Sequence, residues 1–362
     1  MKLCFLAGAN SIHSYRWIKF FAEAGHEITW ISLAPSIFES LPRVRYFEIK
    51  GASGPIGLLR AAAKVRKIVA HFQPDILHAH YVGIYGVMGL LSGFDPIVAT
   101  PWGSDVIYGK KSPLKRPFIA RILRRAAVIT CDAWHMRDEV MRFGVPAERI
   151  HIINFGIDAE RFSPRPPSLA IRAANHLGDA PTVISLRNFE PVYDIPTLLK
   201  AVPKVLEQHP DTRFMLVGRG TLEAELKALA SQLGIDHVVR FVGFVPNDQL
   251  PDTLCSLDVY VSTSLSDAGI AASTAEAMAC GLPVVITDSG ENAQWINDGE
   301  NGYLVPVSQP DALADRLNRL LGDAELRQRF GSAGRATIQA RNDYRTEMNK
   351  METLYQQVLV SK

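Results

Sequence analysis

Apolar residues along this 362-residue chain fall into two alternating registers. Short runs rich in Val, Ile and Leu are followed by helix-length stretches in which apolar positions return every three or four residues. The first register suits strands and the second amphipathic helices, so the alternation predicts an α/β protein of parallel sheets with crossover helices. In the first half, strands are expected at Leu3–Ala7, Glu27–Leu33, Val44–Ile49, Asp75–His80, Ile97–Pro101, Ala127–Cys131 and Arg149–Ile153, with helices such as Ile12–Ala24, Gly57–Phe72 and Ala133–Phe143 between them. From Phe155 to Pro181 the pattern lapses into the Pro- and charge-rich "RFSPRPPS", and a linker is expected there. Strand-like runs then resume as "TVISLR", "RFMLVG", "HVVRFVG", "LDVYVST" and "PVVITD". Pro310–Ala340 is expected to be helical, and Tyr344–Val360 to be a separate amphipathic helix. Two Rossmann-like domains follow, residues 1–160 and 161–342, with residues 343–362 returning to the first. Ligands of such sheets sit beyond the carboxyl ends of the strands, so two facing sheets would enclose an interdomain cleft suited to two ligands.

Composition narrows this picture. At 47% hydrophobic the chain can bury two cores, and a net charge of +2 with interspersed signs argues against a polyanion such as nucleic acid as partner. Cys4, Cys131, Cys255 and Cys280 have no metal-ligand spacing and read as small core residues of a reducing compartment. The opening "MKLCFLAGAN" reads as a strand and not a signal segment, and no run of about 18 apolar residues occurs, so a cytoplasmic protein without a membrane span is expected.

Several strand ends carry side chains with chemistry. "GANSIH" has small residues, Gly8 and Ala9, where backbone N–H groups can approach a phosphate at a helix start; a tight turn with no ligand is the equal alternative. His13 and Arg16 lie just inside that helix, facing either a ligand or solvent. "DILHAHYVG" puts His78 and His80 on one face of a strand end. There a histidine can donate to a ligand or shuttle a proton; a metal pair lacking a third ligand and a satisfied structural histidine are the alternatives. In "TPWGSDV", Trp102 offers a stacking face for a sugar and Asp105 an acceptor for hydroxyls, unless the aspartate simply caps its loop.

In the second half, Arg187 of "SLRNFEPVYD" stands at a strand end, where a guanidinium can grip a diphosphate. "LVGRGTLEAELKAL" is a strand, a glycine turn around Gly218 and a helix, and "FVGFVP" offers backbone edges to a base. In "STSLSDAGIAASTAEAMACGLPVVITD" a strand runs through small residues into a helix carrying Glu276 among apolar neighbours. A lone buried carboxylate is costly, and two ribose hydroxyls would be natural partners for it.

With these motifs in order along nearly its whole length, the chain resembles the family-4 retaining glycosyltransferases of GT-B fold. "GANSIH", "DILHAH", "IINFGID…RF", Arg187 with Glu190 and Pro191, "LVGRG", "VVRFVGFVPNDQLPDTLCSLDVYVSTS", "AEAMACGLPVVITD" and "DGENGYLV" carry the resemblance. It implies a nucleotide-diphosphate sugar of UDP or GDP type as substrate, held by the second half, with no metal or other cofactor. A sugar, lipid-linked or small-molecule acceptor would be held by the first half. Glu276 matches the ribose-binding glutamate, Arg187 the phosphate arginine, Val245 the base contact and His80 the histidine near the reacting sugar. The implied donor set is Gly8, Ala9, Asn10, Arg187, Tyr193, Gly218, Val245, Asp267, Gly269, Ile270, Ala271, Thr274 and Glu276. The implied acceptor set is His13, Arg16, Trp102 and Asp105, and His80 and Arg187 are the implied catalytic residues.

Two departures touch the donor's charged partners. Tyr193 stands where the family has a second phosphate cation, a lysine, and Ala268 where it has a glutamate at the donor sugar, with Asp267 one residue away. A retaining transferase of cell-surface glycan or glycolipid assembly is expected. A catalytically weakened nucleotide-sugar binding protein and a sugar-nucleotide epimerase or hydrolase are the alternatives. A last feature, "YGKKSPLKRPFIARILRRAA", sets Lys110, Lys111, Lys115, Arg116, Arg121, Arg124 and Arg125 around Pro117, Phe118, Ile119, Ile122 and Leu123. It reads either as a peripheral contact with an anionic inner membrane face or as an ordinary surface helix packing its apolar stripe on the sheet.

Overall fold

The computed structural model describes residues 1–103, 105–106, 112, 115–267 and 269–361. The chain divides into two compact units: Met1–Phe155 together with the chain from Arg345 onward, and Gly156–Tyr344. Unit 1 is a seven-stranded sheet of order β3-β2-β1-β4-β5-β6-β7, made of β1 (Lys2–Leu6), β2 (Glu27–Ser32), β3 (Val44–Glu48), β4 (Ile76–His80), β5 (Ile97–Thr100), β6 (Val128–Cys131) and β7 (Ile150–Ile152). Unit 2 is a six-stranded sheet of order β10-β9-β8-β11-β12-β13, made of β8 (Thr182–Ser185), β9 (Arg213–Val217), β10 (Val239–Gly243), β11 (Val259–Ser262), β12 (Val284–Thr287) and β13 (Tyr303–Val305). Every strand pair is parallel, so the α/β class read from periodicity is that of the structure, as are the positions of all strands except β13, which was not expected.

Apart from the largely exposed edge strand β3, each sheet is buried on both faces, because successive side chains of a strand point to opposite sides and helices cover both. In unit 2, Val183, Val259, Val261 and Val285 enter one core, while Ile184, Tyr260, Val284 and Ile286 enter the other. In unit 1, Cys4, Leu6, Leu77 and Ala79 face a core shared with the helix Gly54–Phe72. Phe5, His78 and His80 face the other way. The strand order reverses once in each sheet, between β1 and β4 and between β8 and β11. Crevices for ligands open at such reversals.

Three expectations are corrected here. Residues 155–181 are not a linker: Ile157, Phe162 and Leu177 are buried in a unit 2 core, and Leu169–Ala174 is a short helix. The borders between the units accordingly fall at Phe155/Gly156 and Tyr344/Arg345, not at 160 and 342. The long helix is two, Pro310–Gly322 and Ala324–Arg341, broken at Asp323, whose carboxylate caps the second by accepting from the Leu326 N–H at 2.9 Å. The basic segment forms the helix Arg116–Arg125, with Ile119, Ile122 and Leu123 in the core of unit 1. Phe118 is 58% exposed, Lys115, Arg116, Arg121, Arg124 and Arg125 face solvent, and Arg125 pairs with Asp95. Lys110 and Lys111 lie outside the described residues. Among the described residues no helix is long and apolar enough to cross a membrane. The four cysteines are free, and Cys4, Cys131 and Cys280 are buried.

Candidate functional site

At the β1/β4 reversal of unit 1, two histidines two residues apart have opposite fates. His78 uses both ring nitrogens, Nδ1 with the Tyr355 hydroxyl of the last helix and Nε2 with Thr100 Oγ1 at 2.7 Å; Thr100 in turn bonds Thr130. It is a satisfied structural histidine and has no nitrogen left for a metal. His80 is 2% exposed, yet among the described residues neither of its ring nitrogens has a hydrogen-bond partner. Around it are the rings of Trp17 at 5.0 Å, Phe5 at 5.6 Å and Trp102 at 5.8 Å. His13 stacks near Phe155 at 4.4 Å and meets Trp102 edge-on at 5.6 Å.

The indole N–H groups of Trp17 and Trp102 and Nδ1 of His13 are also buried without partners among the described residues. Buried polar atoms are ordinarily satisfied, so a cluster of such nitrogens in one aromatic patch asks for a hydroxyl-rich ligand. Burial lowers His80 to about 3, with His13 adding to the effect, and lowers His13 to about 4, helped by the Arg16 guanidinium. Both rings are therefore neutral near pH 7, able to donate and accept hydrogen bonds but poorly matched to the proton shuttle that the sequence left open.

Two first-half expectations change. Asp105 does not present its carboxylate to an acceptor: Oδ2 accepts from the Val82 N–H at 2.6 Å, and Oδ1 from the Trp102 and Val106 N–H groups at 3.0 and 3.1 Å. It caps the loop and fixes Trp102, and burial raises it to about 6 despite those bonds. Ala9 does not offer its N–H to a phosphate either, since that group donates to Ser32 Oγ at 3.0 Å. The turn from Gly8 through the exposed Asn10 is a tight strand-to-helix connection, closed by the Ser11 N–H on the Gly8 carbonyl.

At the β8/β11 reversal of unit 2, Arg187 follows β8 and is 9% exposed. Its Nη2 donates to Ser264 Oγ and to Asp267 Oδ1, both at 2.6 Å, which joins the two strand ends. Tyr193 stacks on the guanidinium at 4.4 Å and, through its backbone carbonyl, holds the Thr263 hydroxyl at 2.9 Å. Tyr193 therefore fixes the arginine, and adds no charge where the resembled family has a lysine. Asp267 also accepts from Asn292 Nδ2 at 3.4 Å. It is committed to Arg187 and not turned to a sugar; Ala268 lies outside the described residues.

Arg187 opens onto a pocket of about 380 Å³ that brings together Gly218, Val245 and Glu276 from the expected set. Gly218 is required for this approach, because a Cβ there would lie 2.5 Å from the Arg187 carbonyl oxygen. Gly269, Ile270 and Ala271 form the half-buried loop leading into the helix Ala272–Ala279 that bears Glu276. Thr274 does not line the pocket: it is buried, with its hydroxyl 3.4 Å from that of Tyr260, and the wall at this turn is Ala272 and the half-buried Ser273, whose hydroxyl meets the same Tyr260 oxygen at 2.8 Å. The sequence reading also missed Asn188, Arg219, Phe244 and Leu250. Arg219 stood inside a quoted motif, but only the fold shows that it faces the pocket.

Comparison with known proteins places the chain in a family. The family model for glycosyl transferases group 1 matches residues 169–337, and that for glycosyl transferase 4-like proteins matches residues 2–133. The chain is 30% identical over 309 residues to a phosphatidyl-myo-inositol mannosyltransferase of Mycobacterium tuberculosis, covering 82% of this chain and 77% of that protein. It is 30% identical over 261 residues to a GDP-mannose-dependent alpha-(1-6)-phosphatidylinositol monomannoside mannosyltransferase of Mycolicibacterium smegmatis, covering 70% and 68%. Its fold is similar to that of Anabaena HepE, solved in complex with UDP, with a TM-score of 0.81 at 21% identity and coverage of 98% and 99%. The chain belongs to the group 1 glycosyltransferases, within family 4, and has their two-domain GT-B fold. It is a glycosyltransferase that uses a nucleotide sugar, related to mannosyltransferases.

Proposed function

We propose that this glycosyltransferase binds a nucleotide-diphosphate sugar in the Arg187–Glu276 pocket and transfers the sugar, with retention of anomeric configuration, to an acceptor hydroxyl in glycolipid or cell-surface glycan assembly. The observation that carries the reading is the pocket itself: about 380 Å³ at a strand-order reversal, with a guanidinium and a carboxylate on its wall. Arg187 takes the diphosphate and stabilises it as a leaving group, Glu276 takes ribose hydroxyls, and the backbone beside Val245 meets the base. The Arg187 guanidinium and the loop amides contribute positive potential toward the diphosphate, with no metal called for in this reading. A mannose donor of GDP type is favoured by the GDP-mannose dependence in the smegmatis relative's name.

In unit 1 the unpartnered nitrogens of His80, His13 and Trp102 donate to sugar hydroxyls. The solvent-facing basic side of Arg116–Arg125 supports peripheral contact with an anionic cytoplasmic leaflet, which suits a lipid-linked acceptor.

One experiment tests the whole reading. Purified protein is incubated with GDP-mannose, UDP-glucose and related donors, with phosphatidylinositol-type acceptors in anionic or neutral vesicles, and products are read by mass spectrometry and NMR. The expected result is an α-glycosylated lipid from one donor, faster on anionic vesicles and slowed when Arg121 and Arg124 become Glu. Arg187→Ala and Glu276→Ala should each lower transfer about a hundredfold, the loss of roughly 2–3 kcal/mol of binding to the transition state. Inverted product would overturn retention, epimerised or hydrolysed donor would overturn transfer to an acceptor, and wild-type rates in both variants would overturn the pocket assignment. Equal rates on both kinds of vesicle would remove the membrane contact.

A further inference from the structure

The electrostatics of the unit 2 pocket do not balance for an anionic ligand on Arg187 alone. Its side chain is already bonded to Asp267 at 2.6 Å, which offsets its charge, and Glu276 adds a negative charge to the same wall. Tyr193 contributes a ring and no cation. A nucleoside diphosphate brings further negative charge into this space and needs a cation that is not already paired.

Arg219 is that cation. It follows Gly218 at the carboxyl end of β9, it lines the pocket, and it is exposed. Its guanidinium lies along the backbone of Gly243, where an added Cβ would stand 3.5 Å from Nε and 3.7 Å from Nη2. Its main-chain carbonyl accepts from the Phe189 N–H at 3.0 Å, which anchors the residue from behind. Among the described residues its side chain has no hydrogen-bond or ion-pair partner.

We infer that Arg219 supplies the pocket's uncompensated positive charge and holds the phosphate groups of the donor nucleotide, the part that Tyr193 cannot play. The inference rests on the nucleotide-donor reading of the pocket and adds a residue to it. Charge acts over roughly 8–10 Å at physiological salt, so the guanidinium need not share a bond with Arg187's ligand atoms to do this. A solvated surface arginine would leave nucleotide affinity unchanged, and an arginine reading the base would act on the nucleoside alone.

Calorimetric titration of the full chain with GDP, UDP, guanosine and uridine separates these cases, using wild type, Arg219→Gln, Arg219→Lys and Arg219→Glu. Arg219→Gln should weaken the preferred diphosphate about fivefold or more and Arg219→Glu further, with Arg219→Lys near wild type. The matching nucleoside should be unaffected, and the loss should shrink at high salt. The exposed position predicts unchanged thermal unfolding in all three variants. Unchanged diphosphate affinity in Arg219→Gln overturns the inference and leaves the pocket reading standing, as does equal weakening of nucleoside and diphosphate. Absence of any nucleotide binding by the wild type overturns the pocket reading and the inference together.

Discussion

The two strand-order reversals of this molecule collect chemistry of opposite kinds. In unit 1 the reversal gathers His13, Trp17, His80 and Trp102, neutral rings whose nitrogens are buried without partners among the described residues. In unit 2 it gathers Arg187, Asp267, Arg219 and Glu276, charged side chains of which the two buried ones, Arg187 and Asp267, are paired with each other. Desolvation keeps His13 and His80 neutral, and in unit 2 the buried guanidinium lies against a carboxylate partner. A neutral aromatic patch with spare donors and acceptors matches sugar hydroxyls, and a charged pocket matches phosphates. Since both sheets share one topology, the difference lies in the side chains at the strand ends and not in the scaffold.

The largest effect is expected where the charged site is held by a close backbone approach. Gly290 has a φ of 58°, and a Cβ there would lie 1.6 Å from the Asp267 carbonyl oxygen. Gly290→Ala must therefore displace the loop that carries Asp267, at a loss of about 3 kcal/mol or more. Urea unfolding should show a large loss of stability, and nucleotide binding should disappear with it. Hydrogen exchange should place the damage in β11 and β12, with β4 and β5 of unit 1 protected as in wild type. Equal deprotection of both sheets would mean that the two sites are not separable in this way.

Acidification should have the reverse bias. Burial depresses His13, His78 and His80, all in unit 1, below the usual histidine value of 6.5, to about 4 for His13 and about 3 for His80. The unfolded chain then binds protons that the folded unit refuses, so stability is full above about 6.5 and falls as pH drops toward 3. Asp105, raised to about 6, works in the opposite direction, because the folded unit takes up its proton first. Three histidines outweigh one carboxylate, and each net proton is worth about 1.4 kcal/mol per pH unit. Between pH 7 and 5, protection of β4 amides, corrected for intrinsic exchange, should fall more than that of β8 amides. His80→Phe should flatten the dependence. Parallel losses in the two sheets would break the contrast between a site kept neutral and a site kept charged.

Much of this was legible in the sequence, and the misses have physical causes. Continuous apolar runs located twelve of the thirteen strands among the described residues to within a residue or two, because a parallel sheet covered on both faces imposes that pattern locally; the three-residue edge strand β13 carries too short a run to show it. That Arg187, Gly218, Val245 and Glu276 would share a pocket wall was legible because strand ends and helix starts are local features. Pairing is not local: nothing near Asp267 signals that it binds an arginine 80 positions away, or near Asp105 that Val82 will claim its carboxylate. At the start of a helix, one residue turns the side chain by about 100°, which leaves Ser273 half-buried on the pocket wall and Thr274 buried, although both hydroxyls meet that of Tyr260. Trp17 has the periodicity of any core residue of its helix, and only the unpartnered indole N–H beside His80 distinguishes it.

The smallest effect expected is also the most specific test of the histidine pair. Tyr355, from the helix that returns to unit 1, donates to or accepts from His78 Nδ1, and His78 Nε2 continues the chain to Thr100 and Thr130. Tyr355→Phe keeps the ring that packs against Phe21 at 5.2 Å and removes only the oxygen. It leaves one buried nitrogen unsatisfied, at a cost of about 1–2 kcal/mol. Thermal unfolding should register that loss, while turnover measured well below the unfolding transition should stay close to wild type, since His78 is structural. His80→Ala should lower turnover with nucleotide affinity nearly unchanged, although the cavity it opens among Phe5, Trp17 and Trp102 also costs stability, whereas His80→Phe refills that space without restoring the ring nitrogens. If Tyr355→Phe lowered turnover as strongly as His80→Ala, the two histidines would form one functional unit, and the division between a satisfied and an unsatisfied ring would fail. If His80→Phe, which keeps the packing, turned over like wild type, His80 would only be packing the core, and the neutral site of unit 1 would have no ligand to explain its spare nitrogens.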